Sequence, residues 1–183
     1  MDWFTSDPHY DHENIIKFSK RPFSNVEEMN GELVRRWNSV VKPGDRVFLL
    51  GDIAISKNLP RVDRLLSQLA GQKFWILGNH DRDEARKVFA HRFQKIDKLM
   101  DLKIGSGATM QHIVLCHFAM IAWNKSHHGS WMLHGHHHGG LVYPFPAKIA
   151  DVGVDCWDYT PVSFEELKKK LDPMPVVLHH APL

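Results

Sequence analysis

Asp, Asn and His recur in five short islands along the chain: Asp7-Pro8-His9, Gly51-Asp52, Gly78-Asn79-His80-Asp81, His117 and Gly135-His136-His137-His138. Carboxylate, amide and imidazole donors suit hard-to-borderline divalent cations such as Mn²⁺, Fe²⁺, Zn²⁺ or Ni²⁺. A single island is what any turn supplies, because Asp and Asn favour turns and caps. Five exceed the needs of one ion and point to two ions sharing a bridging carboxylate. Two ions ~3.5–4 Å apart can activate a water and clamp the oxygens of a phosphate undergoing in-line displacement.

Such a set works only if folding gathers it at one edge. Each island follows an apolar stretch that reads as a strand: residues 1–5, 47–50, 74–77, 113–116 and 131–133, with a last strand at 149–154. The run at 47–50 is continuously apolar, as in a strand buried on both faces. Helices alternate with these strands. The clearest spans 26–41, with Asn25 and Glu28 forming a variant of the capping box and Met29, Leu33, Trp37, Val40 and Val41 marking one face. Lys42-Pro43-Gly44-Asp45 ends it. Further helices are expected at 62–69, stopped by Gly71, and at 164–171, capped by Ser163. Alternation of this kind gives an α/β fold, which places its sites at the carboxyl ends of strands. Gly51, Gly78 and Gly135 each precede a candidate ligand, where a side chain would crowd a sharply turning backbone.

The whole-chain numbers exclude several classes. A chain of 183 residues, 43% hydrophobic and 24% charged, is the size of one globular domain with a real core. A net charge of +2 gives no strong nucleic-acid signal. Cys116 and Cys156 show no disulfide or zinc-knuckle spacing and are expected to be buried small hydrophobes in a reducing compartment. With no signal-peptide pattern and no ~20-residue apolar segment, a cytoplasmic protein without a membrane span is expected.

Asp7-x-His9, Gly51-Asp52, Gly78-Asn79-His80-Asp81, His117 and Gly135-His136-x-His138 together resemble the signature of the calcineurin-like metallophosphoesterase superfamily. The stretches 4–7, 12–16, 21–23 and 151–155 further resemble a small, cap-less bacterial and phage branch. The similarity covers residues 1–171, leaving 172–183 as a C-terminal tail expected to lie loosely on the surface. The resemblance implies a single-domain, four-layer α/β/β/α sandwich. By position it implies that Asp7, His9 and His138 bind one metal, that Asp52 bridges, and that Asn79, His117 and His136 complete the second site. It also implies attack by a metal-bridging hydroxide, with His80 near the phosphate as transition-state stabiliser or acid. The protein phosphatase branch pairs this histidine with an aspartate three residues after the bridging one. Here that position is Ile55, which argues against a protein Ser/Thr phosphatase and leaves Asp81 or another group to orient His80.

Other residues admit two readings each. His12 and Arg21 are candidate substrate contacts, Arg21 as a bidentate phosphate clamp, but with Asn14 they equally suit helix-end and loop roles. His127 and His128 read as solvated loop histidines. His137 alternates with two ligands and should point away, and His134 is either a support for the site or a satisfied core histidine. His179 and His180 read as incidental. Trp123, Trp131 and Trp157 read as core, and Lys168-Lys169-Lys170 as the solvated face of the last helix.

The reading that follows is a dinuclear metal-dependent phosphohydrolase, Mn²⁺ being the first choice of ion, with phosphodiesters favoured over monoesters. The small scaffold favours small phosphoesters, nucleotides foremost. The alternatives are a phosphomonoesterase or nuclease using the same site, and a non-catalytic scaffold that keeps the fold. The complete ligand set and the presence of His80 argue against the last.

Overall fold

Alternation of side chains across two buried faces explains why the strands are short and apolar. The computed structural model describes residues 1–177. His179 and His180 lie outside the described residues, as does most of the expected tail. Strands β1 (Asp2–Thr5), β2 (Arg46–Leu49), β3 (Gln72–Ile76) and β4 (Lys95–Asp97) run parallel, and β9 (Val162–Ser163) adds antiparallel to β1, giving the order β4-β3-β2-β1-β9. The second sheet has the order β5-β6-β7-β8, from β5 (Leu99–Ile104), β6 (Gln111–Cys116), β7 (Trp131–His134) and β8 (Ile149–Asp151). The chain crosses between sheets at Lys98, the one residue separating β4 from β5.

Along β2 and the residue after it, Val47 and Leu49 face one cluster and Phe48 and Leu50 the other. The inner cluster lies between the sheets, where Phe4, Phe48, Leu50 and Ile76 meet Ile113, Leu115, Trp131 and Leu133. Phe48 stacks between Phe4 and Phe74, at centroid distances of 5.4 and 4.9 Å. Each such side chain taken from water contributes roughly 1.5–3 kcal/mol. On the outer face of the first sheet lie α1 (Glu13–Phe18), α2 (Val26–Val40), α3 (Leu59–Ser67) and α4 (Asp83–Phe89). Asn25 caps α2 as expected, but Glu28 reaches back to the Ser24 amide rather than to that of Asn25. The complete capping box is at Ser163 and Glu166, opening α5 (Phe164–Leu171).

The α/β sandwich is therefore the expected one, with differences in detail. The second sheet's outer face, around Val114, Met132 and Ile149, is covered by loops and the short turn Ser126–His128, while α5 packs on the inter-sheet core. Strand β8 stops at Asp151, short of the expected residue 154, because residues 152–156 turn beneath the site. Helix α3 begins at Leu59, three residues before the expected start, since Asn58 caps it and Pro60 fits its first turn. The cysteines depart from expectation too: Cys116 is partly buried and Cys156 exposed, and both are free thiols.

Candidate metal centre

Loops leaving β1, β2, β3, β6 and β7 converge at one mouth of the sandwich. Among the described residues, two groups of side chains could hold an ion: Asp7, His9 and His138, and Asp52, His117 and His136. Within each group the donor atoms lie within 4.8 Å of one another. Each group takes residues from loops of both sheets. Asp52 joins the groups, because its Oδ2 lies 3.8 Å from His9 Nε2 and 3.5 Å from His117 Nε2.

The backbone at these positions is unusual. Asp7, His9, Asp52, His136 and His138 all have positive φ, between 48° and 70°. A non-glycine residue in this region is uncommon and costs roughly 1–3 kcal/mol, and such strain clusters at functional sites. Asp, Asn and His tolerate it best, so ligand chemistry and backbone tolerance coincide here. The glycines relieve crowding as expected: a Cβ on Gly135 would collide with Ser6 and the Asp7 carboxylate, and one on Gly78 with Asp52.

Amides and carbonyls aim the donors. One Asp7 oxygen accepts the His136 amide at 2.9 Å, and one Asp52 oxygen accepts the His80 amide at 2.9 Å. Each carboxylate thus keeps its other oxygen for the site. His117 Nδ1 faces the Leu50 carbonyl at 2.7 Å; a carbonyl only accepts, so Nδ1 carries the proton and Nε2 faces the site. Asn79 Oδ1 lies 3.0 Å from that Nε2, placing the amide with the second group. His138 Nδ1 donates to Asp155 at 2.6 Å, and its Nε2 lies 3.9 Å from Asp7.

Burial without compensation marks the centre of the cluster. Asp7 Oδ1 and both ring nitrogens of His9 are buried with no hydrogen-bond partner. Burial pushes the Asp7 carboxyl up and the His9 imidazole down to about 2. Burial also opposes charge on His117, but the Asp52 and Asp7 carboxylates outweigh it and hold that ring above its ordinary value. Orphaned acceptors around carboxylates form a donor set that fits divalent cations, whose charge inverts these penalties.

Arg21 is a correction. Rather than clamping a phosphate, its fully buried guanidinium is bidentate to Asp155 at 2.8 Å and donates to the Asp7 and Pro8 carbonyls at 2.7 and 2.8 Å. It is committed to holding the first ligand loop. His12 does reach the mouth, its ring 5.6 Å from that of His9, while Asn14 is exposed on α1.

Asp81, one of the groups left open to orient His80, does not do so. Its carboxylate accepts the amides of Asp52, Ile53 and Gly78 and the indole of Trp75, at 2.7 to 3.0 Å, and so ties the second and third loops together. The His80 ring is 44% exposed with Nε2 3.9 Å from Asp52 Oδ2, and no described residue hydrogen-bonds it. His134 is a satisfied core histidine, bonded to the Gly135 carbonyl and the Tyr143 hydroxyl. His137 belongs to neither group, whereas the exposed His127 and His128 rings meet at a tilt of 45° on their turn. Trp123 and Trp131 are core, Trp157 is half-buried, and Lys168, Lys169 and Lys170 are exposed.

The model of the calcineurin-like phosphoesterase family matches residues 3–183. The chain belongs to this family. An uncharacterized protein of Methanocaldococcus jannaschii, MJ1445, is 36% identical over 181 residues, covering 96% of this chain and 93% of the relative. The Gene 66 protein of Mycobacterium phage L5 is 27% identical, over 85% of this chain and 86% of its own. The crystal structure of AQ665 from Aquifex aeolicus, a protein of unknown function, has the same fold (TM-score 0.68, 23% identity), covering 93% of this chain and 98% of that one. A metal-dependent phosphoesterase is what family and geometry jointly support.

Proposed function

We propose that this family member is a dinuclear metal-dependent phosphohydrolase that cleaves small phosphodiesters, nucleotide-like ones foremost. The observation that carries the reading is the position of Asp52 Oδ2, within 4 Å of imidazole nitrogens of His9, His80 and His117. A carboxylate oxygen so surrounded suits a bridge between two cations. Asp7, His9 and His138 would hold one ion, and Asn79, His117 and His136 the other, with Mn²⁺ the first choice. When bound, the pair supplies an activated water and draws charge from the phosphoryl oxygens.

The chain's own residues do the rest. The amide-anchored carboxylates of Asp7 and Asp52 and the tethered rings of His117 and His138 hold donor atoms in fixed directions, so little reorganisation accompanies reaction. His80 stands at the rim with its backbone amide held by Asp52 and its ring edge-on to that of His9. With no hydrogen bond to its ring from any described residue, it is suited to protonate the leaving oxygen or to steady charge on the phosphate. His12, beside His9, is suited to a substrate oxygen.

Among the described residues no helix is long and apolar enough to cross a membrane. A cytoplasmic location is part of the proposal, supported by the two free thiols.

The test is turnover of bis-p-nitrophenyl phosphate against p-nitrophenyl phosphate on chelator-stripped protein re-supplied with Mn²⁺. Metal-restored diester hydrolysis is expected. A preference for the monoester would redirect the search to phosphatase substrates. Inactivity on both with two ions bound would refute the hydrolase reading in favour of a scaffold.

A further inference from the structure

Beside His80 the surface opens into a groove of about 580 Å³. One wall is the loop that follows Asp52 and the start of α3, with Ile55, Lys57 and Leu59; the other is the start of α4, with Arg82 and Glu84. The proposed leaving-group residue lines the groove, and no residue of either ligand cluster does.

Its charges are distinctive. Neighbouring arginines are paired: Arg61 with Asp11 and Glu27, Arg86 with Asp83, and Arg92 with Asp63. Lys57 and Arg82 are exposed, and no described residue forms an ion pair or side-chain hydrogen bond with either. Ser56 is not available to a ligand, because its hydroxyl is 2.5 Å from Asp11. The groove therefore offers two uncommitted cations, an apolar strip of Ile55 and Leu59, and one carboxylate.

We infer that this groove seats the leaving-group half of a phosphoester that carries a second phosphate, with Lys57 and Arg82 on that phosphate. Ile55 and Leu59 lie against the organic frame, and Glu84 accepts from a hydroxyl or amino group on it. The Glu84 carboxylate disfavours a bare polyphosphate, which has no donor to offer it. A guanidinium matches a phosphate bidentately, and an ammonium adds a point charge, so the pair recognises a terminal phosphate more strongly than either alone. The inference rests on the hydrolase reading above and deepens it to a substrate class: phosphorylated nucleotides or sugars joined through a phosphodiester.

The experiment compares native protein with the double variant Lys57→Ala/Arg82→Ala, both loaded with Mn²⁺. Thymidine 3′,5′-bisphosphate and thymidine 5′-monophosphate are titrated calorimetrically into each. The native protein should bind the bisphosphate about tenfold more tightly, as expected of two partly exposed charge-assisted contacts, and the double variant should lose that preference. Equal binding of the two nucleotides by native protein, or a preference that survives in the variant, overturns the inference. Turnover of bis-p-nitrophenyl phosphate is measured alongside for both proteins. Its absence from both would sink the hydrolase reading separately, whatever the titrations give.

Discussion

The Asp155 carboxylate lies 2.6 Å from His138 Nδ1, while its two oxygens also receive the Arg21 guanidinium at 2.8 Å. Burial opposes the charge on Asp155, but His138 and Arg21 outweigh it and hold the carboxyl below its ordinary value. The ionised carboxylate fixes the proton on Nδ1 and presents Nε2 to the site. Carboxylates that orient a metal-binding histidine in this way are typically worth 10–100-fold in metal affinity or activity.

Replacing Asp155 by Asn keeps the shape and removes the charge. Titration of chelator-stripped Asp155→Asn with Mn²⁺ should show one of two ions weakened by about 10–100-fold. Unchanged affinity for both ions would mean that His138 is oriented by the loop alone.

Arg21→Met separates a structural from a substrate role. Removing one partner of a buried ion pair typically destabilises by about 3–5 kcal/mol, because the other charge is left uncompensated. Urea unfolding should register a loss of this order. A variant of native stability with a raised KM would restore Arg21 as a phosphate clamp.

Asp52→Ala removes the oxygen shared by both clusters. Metal analysis should find both ions lost and turnover abolished. Near-normal hydrolysis by this variant would be incompatible with a dinuclear centre.

His80→Ala should behave in the opposite way. The ring is half exposed and bonded to no described residue, so stability should change by no more than about 0.5 kcal/mol. Both ions should remain, and turnover should fall by roughly 10²–10⁴-fold. A loss much greater for diesters with poor leaving groups than for nitrophenyl esters identifies the acid role. Equal losses identify charge stabilisation.

The candidate ligands were legible because their chemistry and their backbone demand the same residue types, and because each sits where an apolar run ends. Strands such as β2 were legible because burial on both faces leaves no polar position. What escaped had no local signal. Helices α1 and α4 span less than two turns and bury one and two residues respectively, too few for a period. The two residues of β9 become a strand only by pairing with β1. Arg21 and Asp155 stand 134 residues apart, so that pair exists only once the chain has closed. Asp81 carried a signal, next to His80, but adjacency in sequence left its partner open. Its carboxylate turns inward to amides that the turn leaves unpaired.

Each ligand cluster draws on both sheets, one joining residues 7 and 138 and the other residues 52 and 136. A cation bound in either is a cross-link over more than 80 positions of chain, comparable in reach to a long disulfide but reversible. Either cluster is therefore complete only after the second sheet has docked on the first. The rate at which apoprotein takes up Mn²⁺ during refolding would time that docking directly, with the ion as its reporter.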